Sequence, residues 1–175
     1  MKMKTSSLVA LFATAALLLS ACGRKDSNAV VQTEADKATK QPAGPPAADA
    51  QQIEITGNDA MKFSLTEIRV KPGAAVAVTL RNIGTMPKFS MGHNWVLLKK
   101  GVAPEKFVEL AANAATTDYV PREREADILA HTKLLGPKES DTVTFYAPNE
   151  PGRYVFLCSF PGHYQVGMRG ELIVE

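Results

Sequence analysis

Residues 152–175 read GRYVFLCSFPGHYQVGMRGELIVE, and the fold turns on them. Tyr154, Phe156 and Cys158 recur at every second position, the period of a half-buried strand. Ser159-Phe160-Pro161-Gly162 ends that strand, Gly167 permits a second bend, and Leu172 and Val174 mark a closing strand. Cys158, His163 and Met168 stand at equal five-residue intervals. A loop that folds back twice between two strands can aim a thiol, an imidazole and a thioether at one point.

Upstream the same alternation recurs at Ile53 and Ile55, Phe63 and Leu65, Ile68 and Val70, Val76, Val78 and Leu80, and Val143 and Phe145. Turn signals separate these runs at Gly57-Asn58-Asp59, Lys71-Pro72-Gly73 and Pro148-Asn149-Glu150-Pro151-Gly152. This spacing predicts an all-β antiparallel sandwich over residues 51–175, long enough for one core and too short for two. APEKFVELAANAA breaks the rhythm, with Pro104 at a first helical position and Phe107, Leu110 and Ala111 at helical spacing. It predicts a short helix over Pro104 to Ala112, packed as a flap on one sandwich face. The polar stretch after it predicts a surface loop, then a short strand around Ile128.

A metal held by Cys158, His163 and Met168 wants a fourth ligand. MGHNWVLL, residues 91–98, places His93 at the entry of an apolar strand. Two imidazoles and a thiolate with Met168 as a weak fourth contact form the ligand pattern of blue copper. Such a plane suits Cu(I) and Cu(II) tolerably, so little moves when the electron does. Taken singly, each residue has a plainer reading: a buried small hydrophobe for Cys158, a hydrogen-bonded structural group for each histidine, core filling for Met168. Their conjunction points to the metal. His131, in Ala130-His131-Thr132 with no sulfur nearby, reads as a surface or structural histidine. Two other classes stay open: a cysteine hydrolase using Cys158 and His163 as nucleophile and base, and copper or zinc handling without electron transfer.

At the N-terminus Lys2 and Lys4 precede an apolar run from Leu8 to Leu19, the form of a secretory signal over residues 1–21. Leu19-Ser20-Ala21-Cys22 resembles a bacterial lipobox, which makes Cys22 the lipid-bearing mature N-terminus. An ordinary signal that happens to end before a cysteine is the alternative. Gly23 in place of Asp resembles the default outer-membrane address. Residues 22–50, rich in Ala, Pro and mixed charge, predict a disordered tether. Lipidation leaves Cys158 as the one free thiol of an exported chain, a liability unless it is buried or ligated. The chain has 20 Lys and Arg against 18 Asp and Glu; loss of residues 1–21 removes two lysines and leaves it near neutral. There is no basic stripe, helix-turn-helix pattern or phosphate loop to suggest nucleic acid.

Beyond the ligand loop, GNDAMKF (57–63), MPKFSMGHNWVL (86–97) and LAHTKLLG (129–136) resemble segments of the cupredoxins, and among them the azurins and auracyanins. The resemblance covers nearly all of residues 51–175, and the lipobox and tether resemble those of lipid-modified azurins. It implies a Greek-key β-sandwich with one short flap helix, one type 1 copper ion and one-electron shuttling without catalysis. His93, Cys158 and His163 become equatorial ligands, Met168 the long axial sulfur and the Gly92 carbonyl an opposite axial contact. Asn94 and Ser159 tie the ligand loops together. Met61, Met86, Met91, Phe160 and Pro161 form an apolar electron-transfer patch around the exposed edge of His163. The implied partners are c-type cytochromes, reductases or terminal oxidases, met by a monomeric domain at the cell envelope. Met168 follows His163 by five residues, as in auracyanins and plastocyanins, where azurins commonly have four. The disulfide that azurins carry near their N-terminus has no counterpart, since no cysteine lies between Cys22 and Cys158.

Overall fold

Residues 49–175 are described by the computed structural model. The expected signal peptide, Cys22 and nearly all of the tether lie outside the described residues. Each alternating run contributes a strand, though Leu65 falls outside β2 and is 40% exposed, and the strands pair into two sheets. One holds β1 (Gln51–Asn58), β2 (Lys62–Phe63), β4 (Ala75–Asn82) and β7 (Ser140–Tyr146) in the order β2-β1-β4-β7. The other holds β3 (Glu67–Val70), β5 (Val96–Leu98), β6 (Ile128–His131), β8 (Gly152–Leu157) and β9 (Arg169–Val174) in the order β3-β9-β8-β5-β6.

The pairing corrects the antiparallel expectation. β1 runs parallel to β4 and β3 parallel to β9, while the remaining named pairs are antiparallel. Alternation fixes which face of a strand is buried and says nothing of its neighbour's direction. Here β2 belongs to the first sheet and β3 to the second, so chain crossings between sheets bring strands back parallel.

Between the sheets lie Ile55, Val78, Leu80, Trp95, Leu97, Phe145, Phe156 and Leu172, one continuous core that also contains Cys158 and Met168. The second sheet is covered on its outer face as well. Val96, Leu98, Leu157 and Tyr164 pack there against Phe107, Val108 and Ala111 of the flap helix, so β5 is apolar on both sides and does not alternate. That helix is Pro104–Ala111, opened by extended Ala103 with proline in its first turn. Burying a side chain the size of Phe107 contributes about 1.5–3 kcal/mol, enough to hold so short a helix in place. Val108 takes the place expected of Leu110, which is 38% exposed. Helical spacing admits either flank of the stripe, and the tilt of the helix on the sheet selects one.

Candidate metal centre

A short helix, α1 (Lys88–Met91), delivers the first ligand; the flap helix is α2. Pro87 starts α1, its carbonyl accepting from the N–H groups of Ser90 and Met91 at 3.0 and 2.9 Å. His93 is then fixed by its own main chain: its N–H donates to the Leu135 carbonyl at 3.1 Å, and the Leu135 N–H returns to the His93 carbonyl at 2.7 Å. In the second ligand segment the main chain ties the ligands to one another. The Cys158 N–H donates to the Met168 carbonyl at 3.0 Å, and the Met168 N–H donates to the His163 carbonyl at 2.9 Å. Gly162 and Gly167, at φ +85° and +96°, make the two bends that close this ring.

The donor atoms converge. His93 Nδ1 and His163 Nδ1 are 3.2 Å apart, and Cys158 Sγ is 3.4 Å from His163 Nδ1. Donors of the three residues all lie within 4.8 Å of one another, the one such group among the described residues. All three side chains are buried, and His163, expected to show an exposed edge, is only 2% exposed because the Phe160 ring packs against it. Two metal–nitrogen bonds of about 2.0 Å, or one with a metal–sulfur bond of about 2.3 Å, span more than the 3.2 and 3.4 Å separations, so an ion at His163 Nδ1 lies within reach of the His93 nitrogen and of the Cys158 sulfur. His93 Nε2 is buried without a hydrogen bond of regular geometry, although the Asn58 carbonyl still acts on it electrostatically. A proton placed there leaves Nδ1 as the lone-pair donor.

Burial, more than any neighbouring charge, sets the proton affinities. It holds both imidazoles below their usual range, His163 at about 4 with the adjacent His93 adding to the effect. The Cys158 thiol is pushed up to about 12 by burial, against the opposing pull of the Asn94 and Phe160 backbone N–H groups. Two neutral imidazoles are thus ready to donate, and a bound cation would displace the thiol proton to solvent. A protonated, fully buried thiol is a poor nucleophile, which counts against the hydrolase alternative.

Asn94 bridges the two ligand segments. Its Nδ2 donates to Ser159 Oγ at 2.8 Å and to the Asp118 carbonyl at 3.0 Å, and its Oδ1 accepts the Ser159 N–H at 2.8 Å. The Ser159 hydroxyl donates to the Tyr119 carbonyl at 2.7 Å. Asp118 and Tyr119 both adopt the left-handed conformation, at φ +56° and +60°, and so turn two consecutive carbonyls toward the site. Sequence reasoning missed them inside a presumed surface loop; Asp tolerates that conformation, but nothing marks a tyrosine for it. Tyr164, also missed, donates its phenol to Glu105 of α2 at 2.7 Å beneath the Arg169 guanidinium, which is 4.7 Å from the ring centre.

Met168 is fully buried in the core that holds Cys158, and Gly92 is buried beside His93. Of the expected patch, Met86 and Pro161 are exposed and Met61 and Met91 half-buried. Phe160 departs from expectation: it is buried, and its ring lies between Tyr119 and His163, with centroids at 4.9 and 4.6 Å. It walls the site instead of facing solvent. Phe89, passed over in the sequence, is 84% exposed on α1. His131 lies outside the cluster on β6, with Nδ1 3.1 Å from the Thr132 carbonyl.

The family model described as "Copper binding proteins, plastocyanin/azurin family" matches residues 50–175. The azurin of Achromobacter denitrificans is 40% identical over 132 residues, covering 70% of this chain and 85% of that protein. Outer membrane protein H.8 of Neisseria gonorrhoeae is 40% identical over 111 residues, covering 62% of this chain and 60% of that one. Among solved structures, dithionite-reduced auracyanin of the photosynthetic bacterium Roseiflexus castenholzii superposes with a TM-score of 0.64 at 40% identity, over 72% of this chain and 98% of that chain. An azurin of Methylomonas sp. strain J gives 0.62 at 32% identity, over 71% and 97%. Matched over well more than half its length, and carrying the buried histidine–cysteine–histidine donor set, the chain belongs to the plastocyanin/azurin family, as a cupredoxin of the azurin/auracyanin group that holds one type 1 copper and transfers electrons.

Proposed function

We propose that the protein shuttles single electrons between redox partners of the cell envelope, with no catalytic turnover of its own. His93, Cys158 and His163 act as equatorial ligands, Met168 as the axial sulfur and the Gly92 carbonyl as the opposite axial contact. A bound copper ion supplies the Cu(I)/Cu(II) couple. The chain's residues do the rest. The facing Nδ1 atoms and the thiolate offer soft and borderline donors in a site closed to water. Asn94 and Ser159 hold the two ligand segments at fixed separation, and the amides aimed at Sγ temper its charge. The observation that carries this reading is the meeting of two imidazole nitrogens and one sulfur, all buried, at one point.

In this reading residues 1–21 are a lipoprotein signal peptide, Cys22 carries the lipid, 22–50 is the tether and 51–175 the monomeric copper domain. The lipobox-like LSAC and the likeness to a protein named for the outer membrane support a place on that membrane, facing the periplasm or cell surface. Met61, Met86, Met91 and Pro161 offer the docking surface, and c-type cytochromes, reductases or terminal oxidases are the partners. The test is colour. Cu(II) added to the purified protein should give an intense blue that reductant bleaches and oxidant restores, and Cys158→Ser should abolish it. A colourless site that binds zinc and fails to cycle copper would refute electron transfer in favour of metal handling. Cys22→Ala should release the protein from membranes with its colour intact.

A further inference from the structure

Gly57 is the last residue but one of β1, still inside the paired sheet, where a glycine weakens the ladder unless something needs the space. Its backbone is held on both sides: it pairs with Phe63 of β2 and Asn82 of β4, and its carbonyl accepts the Ile83 N–H at 2.9 Å. Its φ is not in the left-handed region, so backbone freedom does not explain it. Space does. A Cβ at this position would stand 2.9 Å from the Met168 methyl, and 3.2 and 3.4 Å from Cδ2 and Cγ of the His93 ring.

We infer that Gly57 is a positioning residue for the metal site: the missing side chain is the seat of the Met168 methyl, and so fixes how the thioether is presented beside His93. This rests on the axial role proposed above for Met168. Ordinary carbon–carbon contact needs about 3.5 Å or more, so alanine at position 57 would force the methyl back by roughly half an ångström or more. The strand cannot retreat, being paired on both edges, whereas the methyl ends a flexible chain and moves at small cost. The effect of a single Cβ is therefore concentrated on the sulfur's orientation, with the His93 ring adjusting by a few tenths of an ångström, and little reaches global stability.

The test uses the full chain as parent, G57A, M168L and the double variant. In metal-free protein carrying ¹³C-methyl methionine, G57A should displace the Met168 methyl resonance while the thermal midpoint falls by no more than about 5 °C. In copper-loaded protein G57A should shift the reduction potential and the electron paramagnetic resonance spectrum. A leucine side chain at 168 ends one atom short of the methionine methyl. Adding G57A to M168L should therefore move the potential by less than half as much as it does with Met168 present. A G57A chain that fails to fold but regains folding in the double variant supports the same collision. The inference is overturned if G57A leaves the methyl resonance and potential at parent values while M168L shifts the potential. It is equally overturned if the G57A shift persists undiminished in M168L. Should M168L itself leave the potential unchanged, the axial role of Met168 fails instead, and the metal-free methyl resonance still decides whether Gly57 seats that side chain.

Discussion

Asn94→Ala removes the clamp between the ligand segments, and its cost can be worked from the bonds it makes. The Ser159 N–H loses its partner, the Asn94 Oδ1 at 2.8 Å, and the Asp118 carbonyl loses the Nδ2 at 3.0 Å. The Ser159 hydroxyl keeps the Tyr119 carbonyl at 2.7 Å and is not orphaned. Each buried group left unpaired costs about 1–3 kcal/mol. Asn94 and Ser159 are both fully buried, whereas the Asp118 end of the network is half-buried, so the total is about 3 kcal/mol. For a domain of this size that lowers the melting midpoint by roughly 10 °C. Urea unfolding of metal-free protein should show a lower midpoint with an unchanged slope, because the surface exposed on unfolding is the same. The cycle with Ser159→Ala should reveal coupling of about 1 kcal/mol, since Nδ2 donates to Ser159 Oγ at 2.8 Å. A loss below about 1 kcal/mol, or strict additivity with Ser159→Ala, would show that these hydrogen bonds do not hold the two segments together.

Metal-free protein should also be acid-sensitive in a defined window. The folded-state affinity of His163 is depressed from 6.5 to about 4 and that of His93 lies below its usual value, so the folded state resists protonation that the unfolded chain accepts. Stability is then intact above about 6.5 and falls as pH drops toward 4, by at most about 3 kcal/mol for His163; urea midpoints between pH 7 and 4 measure it. Copper-loaded protein should stay flat over most of that window, its ring lone pairs being engaged. Tyr164→Phe removes the bond to Glu105 at 2.7 Å. It should cost about 1 kcal/mol and speed hydrogen exchange in α2, while the blue absorption is retained.

What could be read from the sequence depended on scarcity and on period. Cys158, His93, His163 and Met168 stood out because the chain has only two cysteines, three histidines and six methionines, and because each falls at a strand end or a turn. The strands were legible because sidedness is written in every second residue. Pairing direction is not written there, which is why the parallel pairs β1–β4 and β3–β9 escaped. Other features became visible only in three dimensions. Asp118 and Tyr119 act through carbonyls, which every residue has. Gly57 acts through an atom it lacks. Phe160 was placed in the exposed patch by resemblance, and its burial shows only once the Tyr119 and His163 rings on either side are known.

The site itself is a consequence of register. β5 pairs antiparallel with β8, Val96 opposite Leu157 and Leu97 opposite Phe156. Continued past the end of the paired segment, this register sets Trp95 level with Cys158 and Asn94 level with Ser159. The Asn94–Ser159 hydrogen bonds lie there, as does the Asn94 N–H aimed at Sγ. Phe156 and Cys158 share the inner face because they are two apart, and Trp95, just before β5 and 5.5 Å from the Phe156 ring, fills that face from the neighbouring segment. A slip of one residue would turn Cys158 outward and carry Phe156 with it, exposing a core aromatic at a cost of about 1.5–3 kcal/mol. The apolar residues that drive the sheets together thus also fix where the sulfur stands. The two histidines then need only short, braced excursions from strand ends to reach it: His93 through its mutual bonds with Leu135, His163 through the ring closed by Met168.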